Sequence, residues 1–328
     1  MDISVILEQL IRLFLVLCVG VLLAKLDIID LHTKQKLTKL MLYVTTPLMI
    51  LDAFNDRLLM IENGETGGTV LGIGYLFGVS AGFYVVLILL GVLVTLLFRF
   101  PKDKRNLYTF MTVFGNVGFM GFPVALAVCG TEGLFYAAIL NSVFNILIYT
   151  AGVMLMTAGN NSHEGDTAKG QQRMQLKKLL VTPGVLCCAV AVLLFSLQIR
   201  LPSLLADTFD TLGGLTSPLA MLVVGANLAG MPLKSTLGNL RLNLYTLVRQ
   251  FVLPVLMWPV IRLCIGHETL ASVLLLMAAM PVANMAALFA TEYHADEKLA
   301  SQAIFVTTLC SLISLPAVVW FCNTVMPF

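Results

Sequence analysis

Long apolar runs alternate with short polar links along this chain, and ten of the runs approach the roughly 20 residues that a membrane-spanning helix needs. They cover 5–24, 38–54, 71–98, 107–128, 134–158, 179–198, 208–229, 242–265, 271–290 and 299–325. Two of them are interrupted. Gly115-Asn116-Val117-Gly118-Phe119-Met120-Gly121-Phe122-Pro123 breaks the fourth, and Ala279-Met280-Pro281-Val282-Ala283-Asn284 breaks the ninth. Glycine and proline weaken or remove the helical hydrogen-bond ladder. An unpaired backbone group in lipid costs roughly several kcal/mol, so such a break must lie against protein or a polar cavity. Broken helices in both halves of a membrane protein point to a substrate site near the midplane.

Composition agrees. The 328 residues are 59% hydrophobic and 12% charged, with mean hydropathy +0.93. That charged fraction is about half of what soluble domains carry, which predicts an all-α integral membrane protein. A formal net charge of +2 gives no reason to expect a nucleic-acid partner. The first apolar run lacks a basic leader and a small-residue cleavage site, so it reads as a retained membrane helix. Seven cysteines lie in apolar segments without metal or CxxC spacing, which makes them packing residues. No metal or cofactor is expected.

The basic residues sort among the links. Lys25, Lys34, Lys36 and Lys39 are in the first, Arg99, Lys102, Lys104 and Arg105 in the third, and Lys169, Arg173, Lys177 and Lys178 in the fifth. Lys234, Arg241 and Lys298 continue the odd series, whereas the even links offer Arg57, Arg200 and, near a helix end, Arg262. The positive-inside rule puts odd links in the cytoplasm and both termini outside. Residues 159–178 form a polar connector between two five-helix units, 1–158 and 179–328. Five is odd, so the second unit enters from the opposite face, giving a 5+5 inverted repeat. Glu132-Gly133-Leu134-Phe135-Tyr136-Ala137-Ala138-Ile139 resembles Glu297-Lys298-Leu299-Ala300-Ser301-Gln302-Ala303-Ile304, and the same register sets Asn116 against Pro281. Thr45-Thr46-Pro47 in the second helix matches Thr216-Ser217-Pro218 in the seventh.

Chemistry concentrates at the breaks. Pro123 and Pro281 are suited to open fresh half-helices, whose free amides and positive dipole ends attract an anion. Gly118, Asn116 and Asn284 lie in the same neighbourhood, the asparagines with both donors and acceptors. Kinking for packing is the plainer reading. Asn141, Asn145 and Tyr149 follow an i, i+4, i+8 spacing on one helix face, with Ser142 beside them. Gln302, Thr307, Thr308 and Ser311 answer from the tenth segment. Substrate contact and helix stitching both fit these lines, and the same pair of readings applies to Asn227. Glu8 and Arg12 pair as an interfacial anchor. Asp52 is either a protonatable gate or a loop-edge carboxylate. Arg249 either balances an anion or, as the preferred reading, snorkels to the cytoplasm. Gly74, Gly78 and Gly82 allow close helix packing.

Other classes lack their signatures. His32, His163, His267 and His294 lie in loops, no HExxH or GxSxG occurs, and Gly230-Met231-Pro232-Leu233-Lys234-Ser235-Thr236 lacks the glycine-rich lead of a P-loop. This is not the pattern of an enzyme. An anion channel is the more serious rival, because broken helices also line pores.

Asn116-Val117-Gly118-Phe119-Met120-Gly121-Phe122-Pro123 resembles the fourth-helix signature of the auxin efflux carrier family, which includes the plant PIN-FORMED carriers and bacterial organic-acid permeases. Met280-Pro281-Val282-Ala283-Asn284 through Tyr293 is similar to its ninth-helix region, with Ala286 where plant members carry a further proline. Val44-Thr45-Thr46-Pro47-Leu48 and Ser217-Pro218 through Gly225 resemble its second and seventh helices. The resemblance implies a ten-helix inverted repeat, related to bile-acid sodium symporters and sodium/proton antiporters, in the cell membrane. Its fourth and ninth helices cross in a transport domain, often within a homodimer. It further implies that Asn116 contacts a small carboxylate such as malate, malonate or an auxin-like acid. A sodium-coupled symporter is an alternative within the same superfamily.

Overall fold

The computed structural model describes residues 3–63, 72–98, 100–157, 183–230 and 238–325. The predicted connector, 159–178, lies outside them. Every regular element among the described residues is helical. The first are α1 (Ile3–Lys25), α2 (Leu31–Leu40), α3 (Thr46–Glu62), α4 (Ile73–Leu97), α5 (Lys102–Val113), α6 (Phe122–Leu147) and α7 (Val153–Thr157). There follow α8 (Pro183–Ser196), α9 (Ser203–Gly214), α10 (Thr216–Ala229), α11 (Leu240–Leu247) and α12 (Leu253–Cys264). The last are α13 (Glu268–Ala279), α14 (Met285–Glu292) and α15 (Glu297–Val325).

Among the described residues, six continuous stretches are long and apolar enough to cross a membrane: Leu31–Glu62, Ile73–Leu97, Val117–Met156, Ser203–Ala229, Leu240–Cys264 and Glu297–Phe321. Leu186–Ser196 and Glu268–Ala279 are shorter apolar helices. Val117–Met156 runs 40 residues, about twice a bilayer span. Gly130 interrupts it at φ 67°, ψ −164°, a backbone conformation essentially reserved for glycine. The second predicted segment, 38–54, extends at both ends into Leu31–Glu62. His32 and Arg57, expected in links, are therefore helical, and Asp52 sits within α3 rather than at a loop edge. Arg57 is buried and pairs with Glu132 of α6 at 2.7 Å. Glu8 and Arg12 form the exposed i, i+4 pair that their spacing predicts.

Among the described residues, four wide π-helical turns lead into helices: Met41–Thr45, Val117–Gly121, Ile148–Gly152 and Val248–Val252. In three cases a proline follows two residues later, at Pro47, Pro123 and Pro254. Proline has no N–H to donate and its ring clashes with the carbonyl four residues back. A wide turn there moves that carbonyl aside, so the helix continues instead of ending.

Apolar residues such as Leu15, Leu89, Leu193, Leu263 and Ile313 face outward. That arrangement suits a lipid solvent, where the polar inside carries the information. Helix packing is closest where α1 lies along α10, α3 along α8 and α9, α4 along α5, and α6 along α13, and α6 also packs on α3, α4 and α1. The α1–α10 contact relies on reciprocal glycines. A Cβ added at Gly225 would clash with the Leu17 carbonyl oxygen, and one at Gly20 would clash with that of Leu222. The predicted packing glycines, Gly74, Gly78 and Gly82, have nothing within 4 Å of an added Cβ. Their spacing is a helix-face pattern, but that face meets no helix among the described residues.

Gly225→Ala should therefore force α1 and α10 apart, at a cost of about 1–3 kcal/mol typical of overpacking. Gly78→Ala should be near neutral. Thermal unfolding of the two variants in detergent checks the contrast; equal melting temperatures would contradict it.

Candidate functional site

The two sequence breaks meet. After α5 the chain extends through Phe114 (φ −96°, ψ 93°), and after α13 through Met280 (φ −61°, ψ 143°). These extended links pair as an isolated antiparallel bridge between Gly115 and Val282. The Asn116 N–H donates to the Pro281 carbonyl at 2.7 Å, and the Ala283 N–H donates to that of Phe114 at 3.1 Å. The Val282 N–H donates to Thr307 Oγ1 of α15 at 3.1 Å. Each break thus supplies what the other lacks, which is how non-helical backbone survives away from water.

Asn116 restarts the fourth helix. Its Oδ1 accepts the Phe119 N–H at 3.3 Å, an N-cap, and its carbonyl accepts those of Met120 and Gly121. Helix therefore resumes at Val117, not at Pro123 as the sequence pattern suggested; Pro123 is buried inside the continuing helix. Pro281 also opens no helix. It stays in the extended link, and α14 begins at Met285 with Asn284 as its N-cap. Asn284 makes no side-chain capping bond. Asn116 Nδ2 is buried and without a partner, although a donor in that position ordinarily finds one.

Arg249 braces the crossing from behind. Only 1% exposed, it does not snorkel to the cytoplasm, and this corrects the expectation from its position in the helix. Its Nη1 donates to the Ala278 carbonyl at 2.6 Å and its Nε to that of Met111 at 3.5 Å. Those carbonyls lie in the last turns of α13 and α5, where no intrahelical N–H reaches them. Neighbouring Gln250 donates to the Thr307 carbonyl at 3.0 Å and accepts from Ser314 at 3.2 Å. Thr307, Thr308, Ser311 and Ser314 are all buried. The polar line of the tenth segment thus serves the back of the crossing.

On the other side lies a cavity of about 710 Å³. Thr46, Asn116, Gly118, Asn141, Asn145, Asn227 and Asn284 all line it, together with Tyr149 and Gly115. No charged side chain lines it among the described residues. Pro47, Pro123 and Pro281 are not part of the lining; the Pro47 carbonyl instead accepts the Cys187 thiol at 3.0 Å. Its lining reaches the surface at Leu42, Tyr43 and Leu288, Tyr43 being 64% exposed. Sequence reasoning missed these rim residues, Thr38 and the apolar Val223 and Met285. No local pattern distinguishes them from lipid-facing neighbours.

The model of the membrane transport protein family, the auxin efflux carrier family, matches residues 5–319. The chain belongs to this family. It is 28% identical over 237 residues to an "uncharacterized transporter" of Methanocaldococcus jannaschii, covering 70% of this chain and 74% of the relative. Another "uncharacterized transporter", from Methanothermobacter thermautotrophicus, is 29% identical over 61% of this chain and 63% of its own length. A "putative malonate transporter" of Rhizobium meliloti is 25% identical over 72% and 73%. Membership makes this chain a multi-pass membrane transporter.

Thr307→Val keeps the shape of the side chain and removes the acceptor for the Val282 N–H. It should destabilise the protein by about 1–3 kcal/mol, the cost of an unsatisfied buried donor. Thr308→Val is the reference. Equal melting temperatures for the two would show that the Val282 contact carries no weight.

Proposed function

We propose that this transporter is a carrier for small organic anions and that it works by alternating access around the cavity at the crossed breaks. The observation that carries this reading is the unpartnered buried Nδ2 of Asn116 at the wall of that cavity. Beside it, the helices resuming at Val117 and Met285 begin in the lining of the cavity, which places their positive dipole ends there. A carboxylate satisfies all three, and the amides of Asn141, Asn145, Asn227 and Asn284 add neutral donors.

The finer architecture in this reading is ten passes, with Lys102–Val113 and the helix from Val117 forming the broken fourth, and Glu268–Ala279 and Met285–Glu292 the broken ninth. Two five-helix units, 1–158 and 179–328, are related by inverted topology. The pairing of Asn116 with Pro281 supports it, because residues equivalent in the two halves touch only near a two-fold axis. The rim residues Leu42 and Tyr43 follow Lys34, Lys36 and Lys39 in the chain, and in this reading the positive-inside rule has the cavity open to the cytoplasm, with both termini outside. Malonate, from the description of the Rhizobium meliloti relative, is the first substrate to test.

Asn116→Ala should weaken carboxylate binding about ten- to hundred-fold, as expected for one lost hydrogen bond to a charged group. Asn116→Asp keeps the cap acceptor but sets a carboxylate against the ligand, and should weaken it further. Thermal-shift titration with a panel of mono- and dicarboxylates measures both; unchanged affinity in folded variants would move the site elsewhere. Reconstituted protein preloaded with an unlabelled acid should accumulate the labelled acid transiently by exchange. Ion flux at channel rates without saturation would replace the carrier with a channel.

A further inference from the structure

We infer that Arg249 determines the charge preference of the cavity, as a fixed cation that acts through the backbone of the crossing without touching the ligand. This rests on the proposed function for the class of ligand, but not for the electrostatics.

The cavity has no basic side chain in its lining among the described residues, so its preference for an anion must come from dipoles and from charges behind the wall. Each helix of the crossing pair is cut into two halves. A half-helix carries roughly +0.5 charge at its N-terminus and roughly −0.5 at its C-terminus. The N-termini at Val117 and Met285 face the cavity, but the C-termini of α5 and α13 lie only a few residues away along the chain. Left alone, the two C-termini would cancel most of the field of the two N-termini. Arg249 occupies the C-terminal side, bonding one carbonyl from each half-helix. Its unit charge matches the roughly −1 that the two ends sum to, and leaves the N-terminal field uncompensated on the cavity side.

Among the described residues no carboxylate pairs with Arg249 to offset that charge. The neighbouring Tyr84 and Tyr245 are buried phenols, one without a partner and the other accepting from Thr112. The wall between guanidinium and cavity is one glycine thick. A Cβ at Gly115 would lie 3.0 Å from Arg249 Nη2, and Gly115 itself lines the cavity. In a low-dielectric interior a charge at that range acts strongly. A basic side chain inside the cavity would bind an anion tightly through direct contact; a cation behind the wall biases the site and leaves the ligand free to depart.

The test reads the field directly and needs no substrate. Gly118→Cys sets a thiol in the cavity, at a position where an added Cβ meets nothing within 4 Å. Tyr43→Cys, at the exposed rim, is the reference. Each is modified with sulfonatoethyl methanethiosulfonate, an anion, and with trimethylammonioethyl methanethiosulfonate, a cation, and the rate in the parent protein is subtracted. The ratio of the two rates cancels differences in thiol reactivity. With Arg249 present the anionic reagent should be favoured at Gly118 relative to Tyr43, by about ten-fold for a unit charge so close. Arg249→Met should abolish that preference, and Arg249→Lys should retain most of it even if both variants melt earlier. A preference unchanged in Arg249→Met would overturn the inference and leave Arg249 a structural cap. If that variant does not fold, equal ratios at Gly118 and Tyr43 in the presence of Arg249 overturn it equally. Failure of carboxylate exchange, by contrast, bears on the carrier reading and leaves these ratios untouched.

Discussion

Everything at the centre of this protein follows from one constraint: backbone groups taken out of a helix inside a membrane must find partners within the protein. Cutting two helices exposes N–H and C=O groups at four new ends. The structure answers with three devices at once. The extended links pair with each other, Thr307 accepts the N–H of Val282, and Arg249 reaches the carbonyls of Ala278 and Met111. Where the crossing meets the cavity, one buried side-chain donor is left over among the described residues, Asn116 Nδ2. Beside links that pair with each other in this way, that exception is informative.

The breaks themselves were legible, because a cluster of glycine, proline and asparagine in an apolar run weakens the helical ladder whatever surrounds it. So was the face shared by Asn141, Asn145 and Tyr149, since a helical spacing states which side chains align. Depth was not legible. Arg249 lies two turns from a polar link, so counting along the chain makes it a snorkelling residue; only the neighbours from α5 and α13 show why it stays buried. Nor did the pattern tell packing glycines from idle ones. Gly74, Gly78 and Gly82 have the regular spacing, but the close approach occurs at Gly20 and Gly225, which are isolated in sequence and matched only across helices.

Pro123 shows a subtler limit. A proline after a glycine-rich stretch is an ordinary helix start, and the reading that it opens a half-helix used that rule. Asn116 pre-empted it: an N-cap seven residues earlier lets the helix resume at once, and the wide turn over Val117–Gly121 absorbs the proline. Two local rules competed, and the one with a side-chain acceptor in position prevailed. The consequence for the site is large, since the amides and dipole end come to lie beside Asn116 instead of two turns away.

The same economy explains the chemistry of the cavity. A transporter must bind its cargo and also release it, so strong fixed charges in contact with the ligand would work against turnover. Neutral amides and hydroxyls line this cavity, while the buried cation at the crossing stands behind backbone, already engaged with two carbonyls. In the proposed carrier, helix ends would convey its field without offering a salt bridge that a departing anion would have to break. Because the cap and the field belong to one side chain, the geometry of the crossing and the polarity of the site cannot be varied separately at this position. Substitutions among Asn141, Asn145, Asn227 and Asn284 are free of that coupling. If the cavity takes the organic acids proposed for it, those positions, and the apolar Val223 and Leu288 that share it with them, are where preference for one acid over another would change while the crossed helices stay intact.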